Sequence, residues 1–214
     1  MKETIYTIPI NDAFDDPNGC PLCRLHAKLE ADALEYVTGA AMMEPDVRIQ
    51  TNKLGFCLKH FEDMAAMGKR LPLGLILESY LIEQRQTLEK SIGNPAATCF
   101  VCDRKDTFMS AYYRNLIYIW QTDPNFRDKF EKAKLCFPHI GALLDVSILH
   151  LKRKQLETFK QVVCAKAYVK LDDLSTKVSK FCKSFDHRFA GQDLGDSKTA
   201  IEQSIAWLTG KSVD

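Results

Sequence analysis

The chain has 214 residues, 46% hydrophobic and 27% charged, with a net charge of +1 and a mean hydropathy of −0.21. That is enough apolar material for one large or two small domains, so a metal or disulfide need not be the sole source of stability. The charge balance excludes a strong whole-molecule attraction to nucleic acid or anionic membrane, and Met1 to Ile10, with Lys2, Glu3 and Pro9, is too short and mixed for a signal peptide or membrane span. No membrane partner and a cytoplasmic location are expected.

Taken in order, Ile5-Tyr6-Thr7-Ile8 reads as a short extended arm, the one strand signal in the chain. Asp15-Asp16-Pro17-Asn18-Gly19 is a turn cluster that delivers Cys20. Leu22, Leu25, Leu29, Ala33, Tyr36, Val37 and Ala40 then follow the spacing of one helical face. A turn at Glu44-Pro45 leads to a returning segment, and a second helix starts at Cys57-Leu58-Lys59-His60. Gly68 and Pro72 interrupt it before Leu73, Leu77, Tyr80, Leu81 and Leu88 carry an amphipathic helix to about Ser91.

The same plan then begins again. Gly93-Asn94-Pro95 is a turn before Cys99, and Val101, Phe108, Tyr112, Leu116 and Trp120 mark the next helical face. Asp123-Pro124 turns the chain towards Cys136-Phe137-Pro138-His139, where Pro138 suits a first helical turn. No glycine or proline occurs between Gly141 and Gly191, and Leu171, Leu174, Val178, Phe181 and Phe185 keep three-and-four spacing. One helix of that length is unusual, so a break is expected near Asp172-Asp173. Thr199-x-x-Glu202 reads as a capping box, with Ile201, Ile205 and Leu208 on one face and Gly210 as the stop. The class is all-α, divided as a first module over 1–92, a second over 93–170 and C-terminal helices over 171–214.

Two cysteine and histidine patterns carry the chemistry. Cys20, Cys23, Cys57 and His60 recur as Cys99, Cys102, Cys136 and His139, each displaced by seventy-nine residues. Glu44-Pro45-Asp46-Val47-Arg48 realigns at that offset onto Asp123-Pro124-Asn125-Phe126-Arg127, so a whole unit is duplicated. Three thiolates and an imidazole form the ligand set of a closed tetrahedral zinc site, and one zinc per copy is expected. Helix entrances favour the thiolate that a metal needs. For each copy to close its own site, the chain from Pro45 to Cys57 has to undo the travel of a long first helix. Twelve helical residues recover only about 18 Å, so part of that segment is expected to be extended.

Other readings of the cysteines are an iron–sulfur cluster and a dithiol oxidoreductase, the latter without the βαβ context it requires. Cys164 and Cys182 read as helix thiols outside the repeat, and His26, His150 and His187 match no catalytic pattern. No glycine-rich phosphate loop, nucleophile elbow or His-Glu-x-x-His is present, so no catalytic or small-cofactor residues are assigned. Residues 151–188 carry ten basic and four acidic side chains, a solvated helix face or a nucleic-acid contact.

Cys20-Pro21-Leu22-Cys23, Gly55-Phe56-Cys57-Leu58-Lys59-His60-Phe61 and their second copies resemble an uncharacterised family of bacterial helical proteins with paired Cys-x-x-Cys and Cys-x-x-His motifs. The resemblance covers much of the first 140 residues. It implies metal binding by the eight matched residues and brings no substrate or reaction. The expected function is a zinc-stabilised module that binds a protein or small ligand, with a thiol-based redox or metal-responsive switch as the competing reading.

Overall fold

Proline, glycine and the cysteine motifs set most helix boundaries in the computed structural model, which describes residues 6–91, 98–189 and 191–211. The helices are α1 (Thr7–Asp15), α2 (Pro21–Val37), α3 (Pro45–Leu54), α4 (Leu58–Ala66), α5 (Arg70–Ser91), α6 (Phe100–Thr122), α7 (Pro124–Lys132), α8 (Phe137–His150), α9 (Arg153–Lys183) and α10 (Ala200–Thr209). No strand occurs among the described residues. The all-α class expected from periodicity is the class observed.

The duplication is visible element by element: α2 to α5 recur as α6 to α9. Pro45 and Pro124 each occupy the first turn of α3 and α7, where a missing N–H costs nothing. Asp123 also caps α7 by accepting from the Asn125 backbone N–H at 2.9 Å. α10 stops at Gly210, whose φ of 72° places it in the left-handed region.

The chain forms two compact units, Met1–Leu25 with Ala111–Asp214, and His26–Ser110. In the first, Phe14 lies 5.0 Å from Phe126 and 5.9 Å from Phe130 between ring centres. Phe159 of α9 meets Trp120 edge-on at 4.9 Å and Phe130 at 5.6 Å. In the second, Leu34, Val37, Met42, Val47, Met64, Leu73, Ile76 and Val101 form the core, and Phe56 lies 5.4 Å from Phe61 and 6.2 Å from Phe100.

Four expectations are corrected. Thr7 and Ile8 begin α1 rather than an extended arm, because Ile10, Ala13 and Phe14 give that segment a buried helical face. Residues 1–5 and the Gly93-Asn94-Pro95 turn lie outside the described residues. α9 runs unbroken for 31 residues through Asp172-Asp173. There Asp173 accepts from Lys170 at 2.8 Å and Lys177 at 3.1 Å, pairs one turn away on each side that support the helix. The break falls earlier, at Leu151-Lys152, where Leu151 turns extended and is buried. The capping box does not form: Thr199 makes no cap bond, and its hydroxyl accepts from Gln203 at 2.9 Å. Finally, the segment from Pro45 is helical to Leu54, so it does not recover the length of α2.

Candidate metal centres

Each ligand motif opens a helix. Cys57 and Cys136 are the N-caps of α4 and α8, while Cys20 and Cys99 immediately precede α2 and α6. Their carbonyls take the first helical hydrogen bonds, from Arg24, Phe61, Asp103 and Ile140, at 3.3, 3.1, 2.9 and 3.0 Å. With the cysteine at the cap, the residue three positions on returns to the same side, which sets Cys23, His60, Cys102 and His139 beside their partners.

All eight side chains come together, in an exchanged arrangement. Cys20 and Cys23 join Cys136 and His139, whereas Cys57 and His60 join Cys99 and Cys102, with the four ligand atoms of each group within 4.8 Å of one another. Each group therefore takes its Cys-x-x-Cys from one copy and its Cys-x-x-His from the other. The expectation that each copy closes a site from its own four residues is corrected accordingly. The physical reason is the helical α3: its 10 residues travel only about 15 Å against the roughly 25 Å of the 17-residue α2, a shortfall that is harmless once Cys57 has no need to return to Cys20.

The first group belongs wholly to the unit of Met1–Leu25 and Ala111–Asp214. His139 Nδ1 lies 3.0 Å from Cys136 Sγ, 3.3 Å from Cys23 Sγ and 3.5 Å from Cys20 Sγ, and Cys23 Sγ is 3.5 Å from Cys136 Sγ. The end of α10 closes over it. The Cys23 thiol sits 3.6 Å from the Gly210 carbonyl, and a Cβ on Gly210 would lie 3.3 Å from Cys136 Sγ. Trp207 anchors that end by donating to the Leu135 carbonyl at 2.8 Å and packing on Phe137 at 5.3 Å.

The second group lies in the unit of His26–Ser110. His60, 1% exposed, points Nδ1 at Cys99 Sγ (3.1 Å), Cys57 Sγ (3.2 Å) and Cys102 Sγ (3.5 Å). Gly55 sets this up: at φ 61° and ψ −158° it ends α3, and its carbonyl accepts from the Phe100 backbone N–H at 2.9 Å. Thr98 also donates to the Leu54 carbonyl at 3.0 Å, so the chain before Cys57 is tied to the chain around Cys99.

Electrostatics fit both groups to a cation. In the first, hydrogen bonds from Cys136 and Cys23 hold Cys20 well down as a thiolate, while Cys23, bonded to Cys136 and Cys20, is held well up. Burial opposes the charged form of His139, but its bonds to Cys136 and Cys20 outweigh this and raise it to about 9. In the second, burial and then the neighbouring Cys99 push Cys102 up to about 12. Thiolates this close repel unless protons or a metal ion neutralise them. A tetrahedral ion about 2.3 Å from sulfur and about 2.0 Å from nitrogen requires ligand edges of roughly 3.5 Å, close to the spacings observed. The three remaining histidines and Cys164 and Cys182 join neither group.

Sequence reasoning did not single out Glu30, whose Oε1 accepts from His60 Nε2 at 2.9 Å. The repeat gave no signal for it, since the position seventy-nine residues on is Met109. Burial acts against the Glu30 carboxylate, yet the His60 and Lys59 hydrogen bonds and the nearby Lys105 leave it below the ordinary carboxylate range.

A duplicated helical protein with two Cys3His groups able to hold a metal ion is the class these features define. Residues 1–98 and 89–214 each match the model of a family of unknown function, DUF6062, and the chain belongs to that family as a two-repeat member. No curated protein and no solved structure matches it.

Proposed function

We propose that this is a cytoplasmic zinc protein whose two sites are structural and whose work is to present a helical surface to a protein or small-ligand partner. The observation that carries the reading is the completeness of each donor set. Three sulfurs and one nitrogen converge within 4.8 Å, which fills a tetrahedral shell and leaves no position for substrate or water. Zinc suits this mixed thiolate and imidazole set, whereas iron–sulfur clusters usually take four cysteines. Among the described residues, no helix is long and apolar enough to cross a membrane. Elemental analysis of protein purified without added metal tests the proposal: about two zinc ions per chain are expected, and iron with visible absorbance, or no metal, overturns it.

One observation favours a redox switch as a second reading. Cys23 Sγ and Cys136 Sγ lie 3.5 Å apart, and Cys20, Cys23, Cys57 and Cys102 are only partly buried. Peroxide can take two electrons from such a pair, forming a disulfide and water and ejecting the metal. Reversible zinc release on mild peroxide, with a change in partner binding, would establish the switch; inert thiolates would leave zinc purely structural.

A further inference from the structure

The carboxylate behind His60 connects all three helices at the second group. Glu30 comes from α2, accepts from His60 Nε2 at 2.9 Å, pairs with Lys59 of α4 at 3.2 Å and approaches Lys105 of α6 at 3.7 Å. His60 and Lys59 belong to the helix that Cys57 caps, and Lys105 lies one turn beyond Cys102. One side chain thereby references both helices that carry ligands.

Geometry also fixes where the imidazole proton must be. Nδ1 faces the three sulfurs at 3.1 to 3.5 Å, so it has to be free of a proton to ligate. Nε2 then carries the ring N–H and donates it to Glu30. A carboxylate at that position selects this tautomer, holds the ring plane and makes Nδ1 a stronger donor. The duplication did not supply the arrangement, because the second copy has Met109 at the matching position.

We infer that Glu30 is the positioning residue of the Cys57, His60, Cys99 and Cys102 site, setting both the orientation of His60 and the tenacity with which that site holds its ion. This rests on the reading that the groups bind zinc. The two sites are consequently not equivalent in how they respond to loss of this side chain.

The test compares full-length wild type, Glu30→Ala and Glu30→Gln, each loaded with zinc, in a competition with a chromophoric chelator. Wild type that binds no zinc refutes the zinc reading itself, before Glu30 enters. With about two zinc ions bound, Glu30→Ala is expected to weaken one equivalent by roughly 10- to 100-fold and leave the other unchanged. Glu30→Gln retains an acceptor without the charge, so its loss should be smaller. Ring nitrogen NMR supplies the readout that a packing role would not move: a slowly exchanging Nε2 proton on His60 in wild type and Glu30→Gln, lost in Glu30→Ala. Unchanged affinity at both equivalents, or equal weakening of both, overturns the inference. Should the alanine variant fail to fold, Glu30→Gln decides: selective weakening of one equivalent supports the role, and no change or equal weakening refutes it.

Discussion

His60 Nδ1 lies 3.1 Å from Cys99 Sγ, which places a histidine of the first copy and a cysteine of the second in one site. Cysteine substitutions should therefore group by site rather than by copy. With zinc bound as proposed, Cys57→Ser and Cys99→Ser should each reduce zinc from about two ions to about one, and the double variant should lose little more. Combining Cys57→Ser with Cys20→Ser should abolish binding. Metal analysis of the four proteins checks this, and loss that follows the copies would contradict the exchanged pairing.

The pH response should reverse between the metal-free and metal-loaded chain. His139 without metal is raised to about 9 from an ordinary value of 6.5, so its contribution is fully present below the ordinary value and is lost as pH rises through the raised one. Metal-free protein should thus lose stability between about pH 7 and pH 10, whereas bound metal takes the place of that proton. Metal binding near pH 8 should release protons and weaken in acid, where thiols and imidazole are protonated. Thermal melts across pH, with calorimetry in two buffers of different ionisation enthalpy, measure both effects.

Gly55 should tolerate no side chain. Its φ of 61° and ψ of −158° fall in a region reserved for glycine, and a Cβ would meet the Tyr80 hydroxyl at 2.7 Å. Gly55→Ala should cost about 1–3 kcal/mol from the backbone alone and loosen the Cys57 site. Denaturant unfolding of metal-loaded protein gives the stability; cobalt substitution reports on the site.

Trp207→Ala should strip the cover from the other site. The indole is buried and donates to the Leu135 carbonyl, directly before Cys136. Loss of about 3–5 kcal/mol is expected for truncating a buried tryptophan, together with faster chelator removal of the ion beneath Gly210. Unchanged extraction kinetics would show that α10 does not protect that site.

Periodicity and turn chemistry disclosed the helical class, the helix entrances at the four cysteine motifs and Gly210 as a stop. These features depend on residues within a turn of one another. Ligand partnership does not, since Cys-x-x-Cys with Cys-x-x-His closes a shell whichever copy supplies each half. The decisive fact, a helix rather than an extended return after Pro45, rested on Val47 and Thr51 finding a buried face. Likewise the length of the glycine-free and proline-free stretch points to a break at Asp172-Asp173, whereas Lys170 and Lys177, each about one turn from Asp173, pair with it and carry the helix through. Leu151 ends α8 through burial, with no glycine or proline to announce it.

Residues 57–102 of one site are nested within residues 20–139 of the other, like one pair of brackets inside another. Synthesis from the N-terminus therefore completes the inner site first, although its earliest ligand emerges later. Cys20 and Cys23 leave the ribosome as an unmatched thiol pair and remain so until Cys136 arrives, a separation of 113 residues from Cys23. Order of assembly is thus written into the chain: the contiguous inner unit can form while the outer one is still being made. During that interval the first two thiols lack the Cys-x-x-His half with which they close a shell.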